Sequence, residues 1–299
     1  MAHQKSSAWW AVVLSTILSS RCPSLAAKPA PSWVGAKTSV AVPDHSAASM
    51  EGELTTRLKG LFQRWKAVPS SQWAAKSVPI RGEVDSAVSE YTARRLSNPE
   101  RPSAPNLQQE INDALAAAIW ESIFGMSAGD LGAALGHNPP RFGFVLQGAG
   151  SASDLYVTGF GFGYGNTYSA SIHGFTESHG RYAVVGTAGA ELDGSLPQGI
   201  VLRPFEAHEL RFLAWGLHIG SPEGLTSVVL YAFDGQRLRV LWRQSSLPRA
   251  EVSIVDGQVV IESEYLVSAG KGAWERQRDV YRQVPQGLRL SKTKRWTTQ

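Results

Sequence analysis

Cysteine is almost missing: the 299 residues contain one, Cys22. A disulfide-stapled scaffold is therefore excluded. Charge is scarce as well, at 18 % of residues, and cations outnumber acids by only four. A nucleic-acid partner is not expected, because basic residues do not cluster with polar or aromatic contacts. The apolar run from Ala8 to Leu18 falls far short of the roughly 20 residues a bilayer span requires. There is no G-x-S-x-G elbow for a serine hydrolase. At 43 % hydrophobic the chain is too apolar for wholesale disorder. Its length suits one large domain or two ordinary ones.

What is present begins with an address. Lys5 supplies a positive start, Ala8 to Leu18 an apolar stretch, and Ser24, Ala26 and Ala27 small residues. This three-part layout predicts a secretory signal peptide over 1–27, cleaved after Ala26 or Ala27. Arg21 argues against lipid attachment at Cys22. Cleavage after Ala27 removes Lys5 and Arg21 and leaves a cysteine-free, nearly neutral chain without thiol chemistry. Residues 28–49, rich in Ala, Ser and Pro, read as a disordered linker.

Helical periodicity follows over 50–136. Leu54, Leu58, Leu61, Phe62 and Trp65 share one helix face, and Val84, Val88 and Tyr91 begin a second. Leu107, Ile111, Ala114, Leu115, Ala118, Ile119 and Ile123 form a third, with Gly125 as a stop. After Pro139-Pro140 the period becomes two. Strands are predicted at Phe142–Gln147, Leu155–Phe162, Thr167–Phe175, Arg181–Thr187, Ile200–Arg203, Glu209–His218 and Ser227–Phe233. Others are predicted at Arg237–Arg243, Ala250–Val255, Gln258–Tyr265, Asp279–Gln283 and Leu288–Lys292. Tight hairpins are expected at Asp234-Gly235 and Asp256-Gly257, with another at Asp193-Gly194. The fold class read from this pattern is α+β. A small helical unit precedes an antiparallel β meander over 141–299, built as a sandwich, a barrel or a propeller-like sheet.

The stretch from Leu230 to Gly235, followed by Leu238 and Leu241-Trp242, resembles one hairpin of a quinoprotein-type β-propeller blade. The likeness covers about a dozen of the 299 residues. No regular blade period runs through the rest, and no cofactor or catalytic residue carries over from the likeness.

Three residue groups are candidates for function. Phe160, Phe162 and Tyr164 alternate with glycines, which puts the rings on one side of a strand. Exposed, that strip would stack on sugar rings or a partner; otherwise it is core. The spacing is not that of a dinucleotide loop, which needs a following helix. His173, Glu177 and His179 would offer a zinc site if the residues between them formed a loop. Arg237, Arg239 and Arg243 are expected on the wet side of a strand, opposite Leu238, Val240 and Trp242. With Arg249 nearby and Lys292, Lys294 and Arg295 assisting, they would meet an anionic glycan or lipid head group. Glu262 and Glu264 share a strand face and read as its solvated side. No cofactor is expected. The functional expectation is a secreted or periplasmic, non-catalytic binding or scaffold protein whose β domain meets a protein or glycan. The alternative is an extracytoplasmic hydrolase whose site converges from separate strands.

Overall fold

A computed structural model describes residues 46–127, 142–148, 155–164, 167–189, 192, 195–202, 209–218, 224–268 and 273–298. The signal segment, almost all of the linker and the Asp193-Gly194 turn lie outside the described residues.

Helix α1 spans Ala47–Lys66 and starts where the Ser46 hydroxyl accepts the Ser49 N–H at 3.3 Å. Such a cap satisfies one of the amides a helix start leaves unpaired. The predicted stripe is the buried one, with Met50 added. Helix α2, Trp73–Leu96, begins well before Val84 and runs through Pro79. Its first turns are mostly exposed, so the apolar period is weak there. Helix α3, Ala104–Ile119, is capped by Ser103. It widens into one π turn over Trp120–Phe124, and Gly125 ends it in the left-handed region at φ 67°. Among the described residues no helix is long and apolar enough to cross a membrane.

Among the described residues twelve strands follow, in three antiparallel four-stranded meanders. The first is β1 (Gly143–Gln147), β2 (Tyr156–Tyr164), β3 (Thr167–Ser178) and β4 (Arg181–Ala188). The second is β5 (Ser195–Leu202), β6 (Leu210–His218), β7 (Leu225–Phe233) and β8 (Leu238–Pro248). The third is β9 (Glu251–Val255), β10 (Gln258–Ser268), β11 (Ala273–Val284) and β12 (Gly287–Thr298).

The layers stack in chain order. Tyr156, Phe160, Phe162 and Phe175 of the first sheet join the helices in one core. Val157 and Ile172, from the alternate positions, meet Phe212, Val229, Tyr231 and Phe233 of the second sheet. Val228 and Leu230 then meet Val259, Ile261, Tyr281 and Leu288 of the third. The first two sheets are thus covered on both faces, which explains the nearly unbroken apolar run of β7. The outcome is a helical layer followed by three stacked open sheets.

Turn chemistry fixes the hairpins. Asp256 and Gly257 have φ of 50° and 75°, and Val255 faces Gln258. Two successive positive φ values match the twist of the flanking strands, as expected for Asp-Gly. At Asp234-Gly235 the connection is longer, because Phe233 pairs with Leu238. There the Asp234 carboxylate accepts the N–H groups of Gln236 and Arg237, each at 3.0 Å. Glycine in β2 and β3 permits close layering. A Cβ added at Gly159 would collide with the Phe144 ring, and one at Gly174 with the Phe233 ring.

Candidate functional site

The aromatic strip is not open. Phe160 and Phe162 have no exposed surface. Phe162 meets Phe62 edge-on at 5.9 Å and Trp65 at 5.4 Å between ring centroids. These positions of β2 face the helical layer, and the apolar side of α1 needs that same surface. Core packing therefore replaces the sugar-stacking expectation. Tyr164 closes β2, and its side chain lies outside the described residues.

The histidine loop does not form. Strand β3 continues through Ser178, and His179-Gly180 is a two-residue turn with φ of 54° and 74°. His173 and Glu177 therefore stand about 13 Å apart along an extended chain. Glu177 accepts the Gly180 N–H at 3.1 Å. Among the described residues no group of three His, Cys, Asp or Glu side chains is placed to hold a metal ion.

His173 has a different partner, out of reach of local sequence reading. Its Nε2 lies 3.0 Å from Oδ2 of Asp85 on α2, across the interface of helices and first sheet. Burial pushes the Asp85 carboxyl up. The hydrogen bond and charge of His173, with a hydrogen bond from Ser171, outweigh that and hold it below the usual range. Asp85 Oδ1, His173 Nδ1 and the Thr158 hydroxyl are buried there without hydrogen-bond partners. Thr158 pairs with His173 in the strand register, so the two side chains are neighbours on one face. His173 is only 3 % exposed. The knot ties α2 to the sheet.

The arginine face is split. Leu230 pairs with Trp242 and Tyr231 with Val240, which leaves Leu241 as an extra residue. A bulge of this kind breaks alternation. Arg239 and Trp242 consequently share one face of β8, while Val240 and Arg243 share the other. Arg239 pairs with Glu209 and lies 3.7 Å from Asp234. Arg237 lies 3.6 Å from Asp234. Glu209 also receives the buried Arg211 at 2.7 Å, and Arg211 donates to the carbonyls of Val284 and Pro285. Two of the three arginines are thus engaged with acids, and the third, Arg243, points the opposite way from Arg239.

A cationic surface does exist, on the outer face of the third sheet. Opposed residues of neighbouring strands share a face. The register Arg282–Arg289, Val260–Val280–Lys292, Glu262–Arg278–Lys294 and Glu264–Arg276–Trp296 therefore maps this face row by row. The extra residue Ser291 keeps Arg289 and Lys292 on the same side. Acids occupy β10 and cations occupy β11 and β12. Arg276 pairs with Glu264 at 2.5 Å and Arg278 with Glu262 at 3.3 Å. Arg282, Arg289, Lys292 and Lys294 are exposed and have no acidic partner among the described residues. All but Arg289 line a depression of about 440 Å³, together with Gln258, Arg278, Val280 and Ser291.

A larger, mostly apolar cleft of about 590 Å³ lies between α1, the end of α2 and the β3–β4 turn. Its polar groups are largely engaged. The Ser97 hydroxyl donates to Ala93 and accepts the Tyr182 N–H, and Arg94 pairs with Glu53.

Local reading named Lys292 and Lys294 but missed Arg278 and Arg282. The available signal was the period-two basic pattern at Arg276, Arg278 and Arg282. The sequence matches no protein-family model and no curated protein.

Proposed function

We propose that this protein is an exported, non-catalytic binding module whose third sheet offers an anion-binding face to a protein or glycan partner. One observation carries the reading: three exposed cations without acidic partners, Arg282, Lys292 and Lys294, line a depression on the third sheet, and a fourth, Arg289, shares their face. A face of this kind is not needed to complete the fold, because the third core lies on the opposite side of the same strands. Closely spaced cations without counter-charges raise the local potential and favour an anionic partner. The three-part N-terminus supports export. Against the hydrolase alternative stands His173, whose Nε2 is engaged by Asp85 and which solvent scarcely reaches.

The test is retention of the purified chain on an anionic matrix, scored against salt, with Lys292→Glu and Arg282→Glu beside the wild type. Wild type elutes later than the variants. Equal elution removes the surface from consideration. Export is tested by cell fractionation with N-terminal sequencing, where a chain confined to the cytoplasm with Met1 intact would refute it.

A further inference from the structure

Taking the anion-binding reading as its premise, we infer that the partner at this depression is an acidic glycan, a linear chain of sugars carrying sulfate or carboxylate groups. The shape of the charge pattern is the first reason. The cations follow two adjacent strands, which lie about 4.8 Å apart, and same-face residues recur about every 7 Å along each. The unpaired cations, from Arg282 and Arg289 to Lys294, run about 13 Å along the strands. The ribbon they form is narrow. Glu251, Glu262 and Glu264 border it on the β9 and β10 side. A broad anionic surface such as a membrane would meet those acids together with the cations. A single anionic chain laid along β12 and past Arg282 meets the unpaired cations and stays clear of the acids.

The composition of the depression is the second reason. The Gln258 amide and the Ser291 hydroxyl lie among the guanidinium and ammonium groups. Ser291 donates its proton to the Val280 carbonyl, and its oxygen remains an acceptor. Amides and hydroxyls match sugar hydroxyls, while the arginine fork matches the paired oxygens of a sulfate or carboxylate. An acidic peptide brings carboxylates to the cations, whereas an acidic sugar chain brings a dense row of hydroxyls to the amide and hydroxyl as well. The volume also fits, since small-ligand sites occupy about 300–1,000 Å³; the depression would take one or two sugar units of a longer chain.

The probe is a sulfated uronate hexasaccharide, titrated into the full chain. It is compared with an uncharged hexasaccharide, a polyglutamate peptide of matched charge, and inorganic sulfate. The sulfated glycan binds most tightly, and its affinity falls as salt is added. Lys292→Gln with Arg282→Gln weakens it about tenfold or more, as expected for lost charge-assisted bonds. Arg237→Gln, on the second sheet, leaves it unchanged. Circular dichroism confirms that each variant is folded. Polyglutamate binding as well as the glycan overturns the glycan assignment and leaves the anion-binding face standing. Binding unaffected by the double variant overturns the assignment of the site. No binding to any anionic probe overturns both.

Discussion

Replacing Phe162 by alanine tests the layer order directly. The ring has no solvent exposure and contacts Phe62, Trp65 and Phe160 within 5.4–5.9 Å between centroids. Truncating a buried phenylalanine costs about 3–5 kcal/mol, from lost transfer energy and the cavity left behind. In a chain of this size, 1 kcal/mol shifts the melting temperature by roughly 2–4 °C. The expected drop is therefore roughly 6–20 °C, with a matching fall in the urea midpoint at unchanged slope. Phe62→Ala produces a comparable loss. The double variant loses less than the sum, because the two rings contact each other. A drop under about 2 °C, the scale of a surface substitution, refutes the burial of β2 beneath α1. It would return the aromatic strip to the surface.

Three further outcomes concern polar groups in or at the edge of the core. Asp85 is held below its ordinary value of 3.8 in the folded state, so its contribution is complete above that pH and is lost as pH falls through the lower folded value. Asp85→Asn therefore differs from wild type in stability at neutral pH, and urea titrations at several pH values show the difference shrinking below pH 3.8. Burial first, then the charge of Asp279, pushes the Tyr281 phenol up to about 12. The stabilisation it carries is full below pH 10 and is lost as pH climbs toward 12, and Tyr281→Phe removes that part of the alkaline transition. Glu110 receives both Arg95 and Tyr91, at 2.7–2.9 Å. Glu110→Ala leaves the buried Arg95 uncompensated and costs about 3–5 kcal/mol in chemical denaturation; a loss below about 1 kcal/mol contradicts that pairing.

Periodicity made the architecture legible because side-chain repeat reports the local backbone. The α1 stripe and the Asp256-Gly257 turn needed only neighbouring residues to be read correctly. What escaped depended on distant partners. Phe162 looks the same whether a helix covers it or water does. The neighbour of His173 is Asp85, 88 residues earlier in the chain. Arg239 and Arg243 have the right spacing to share a face, and only the pairing of β7 with β8 reveals Leu241 as surplus. The cationic ribbon draws its rows from two strands, so neither strand alone displays it.

Layering in chain order has a consequence for how the molecule is made. Each slab is contributed by consecutive residues, so an emerging polypeptide delivers the slabs in the sequence in which they are stacked. Helices can be covered by the first meander before the last is released, and each newcomer finds a greasy platform waiting. The third slab differs from the first two in turning a largely charged side outward, so it offers no greasy platform of the kind on which it was itself received.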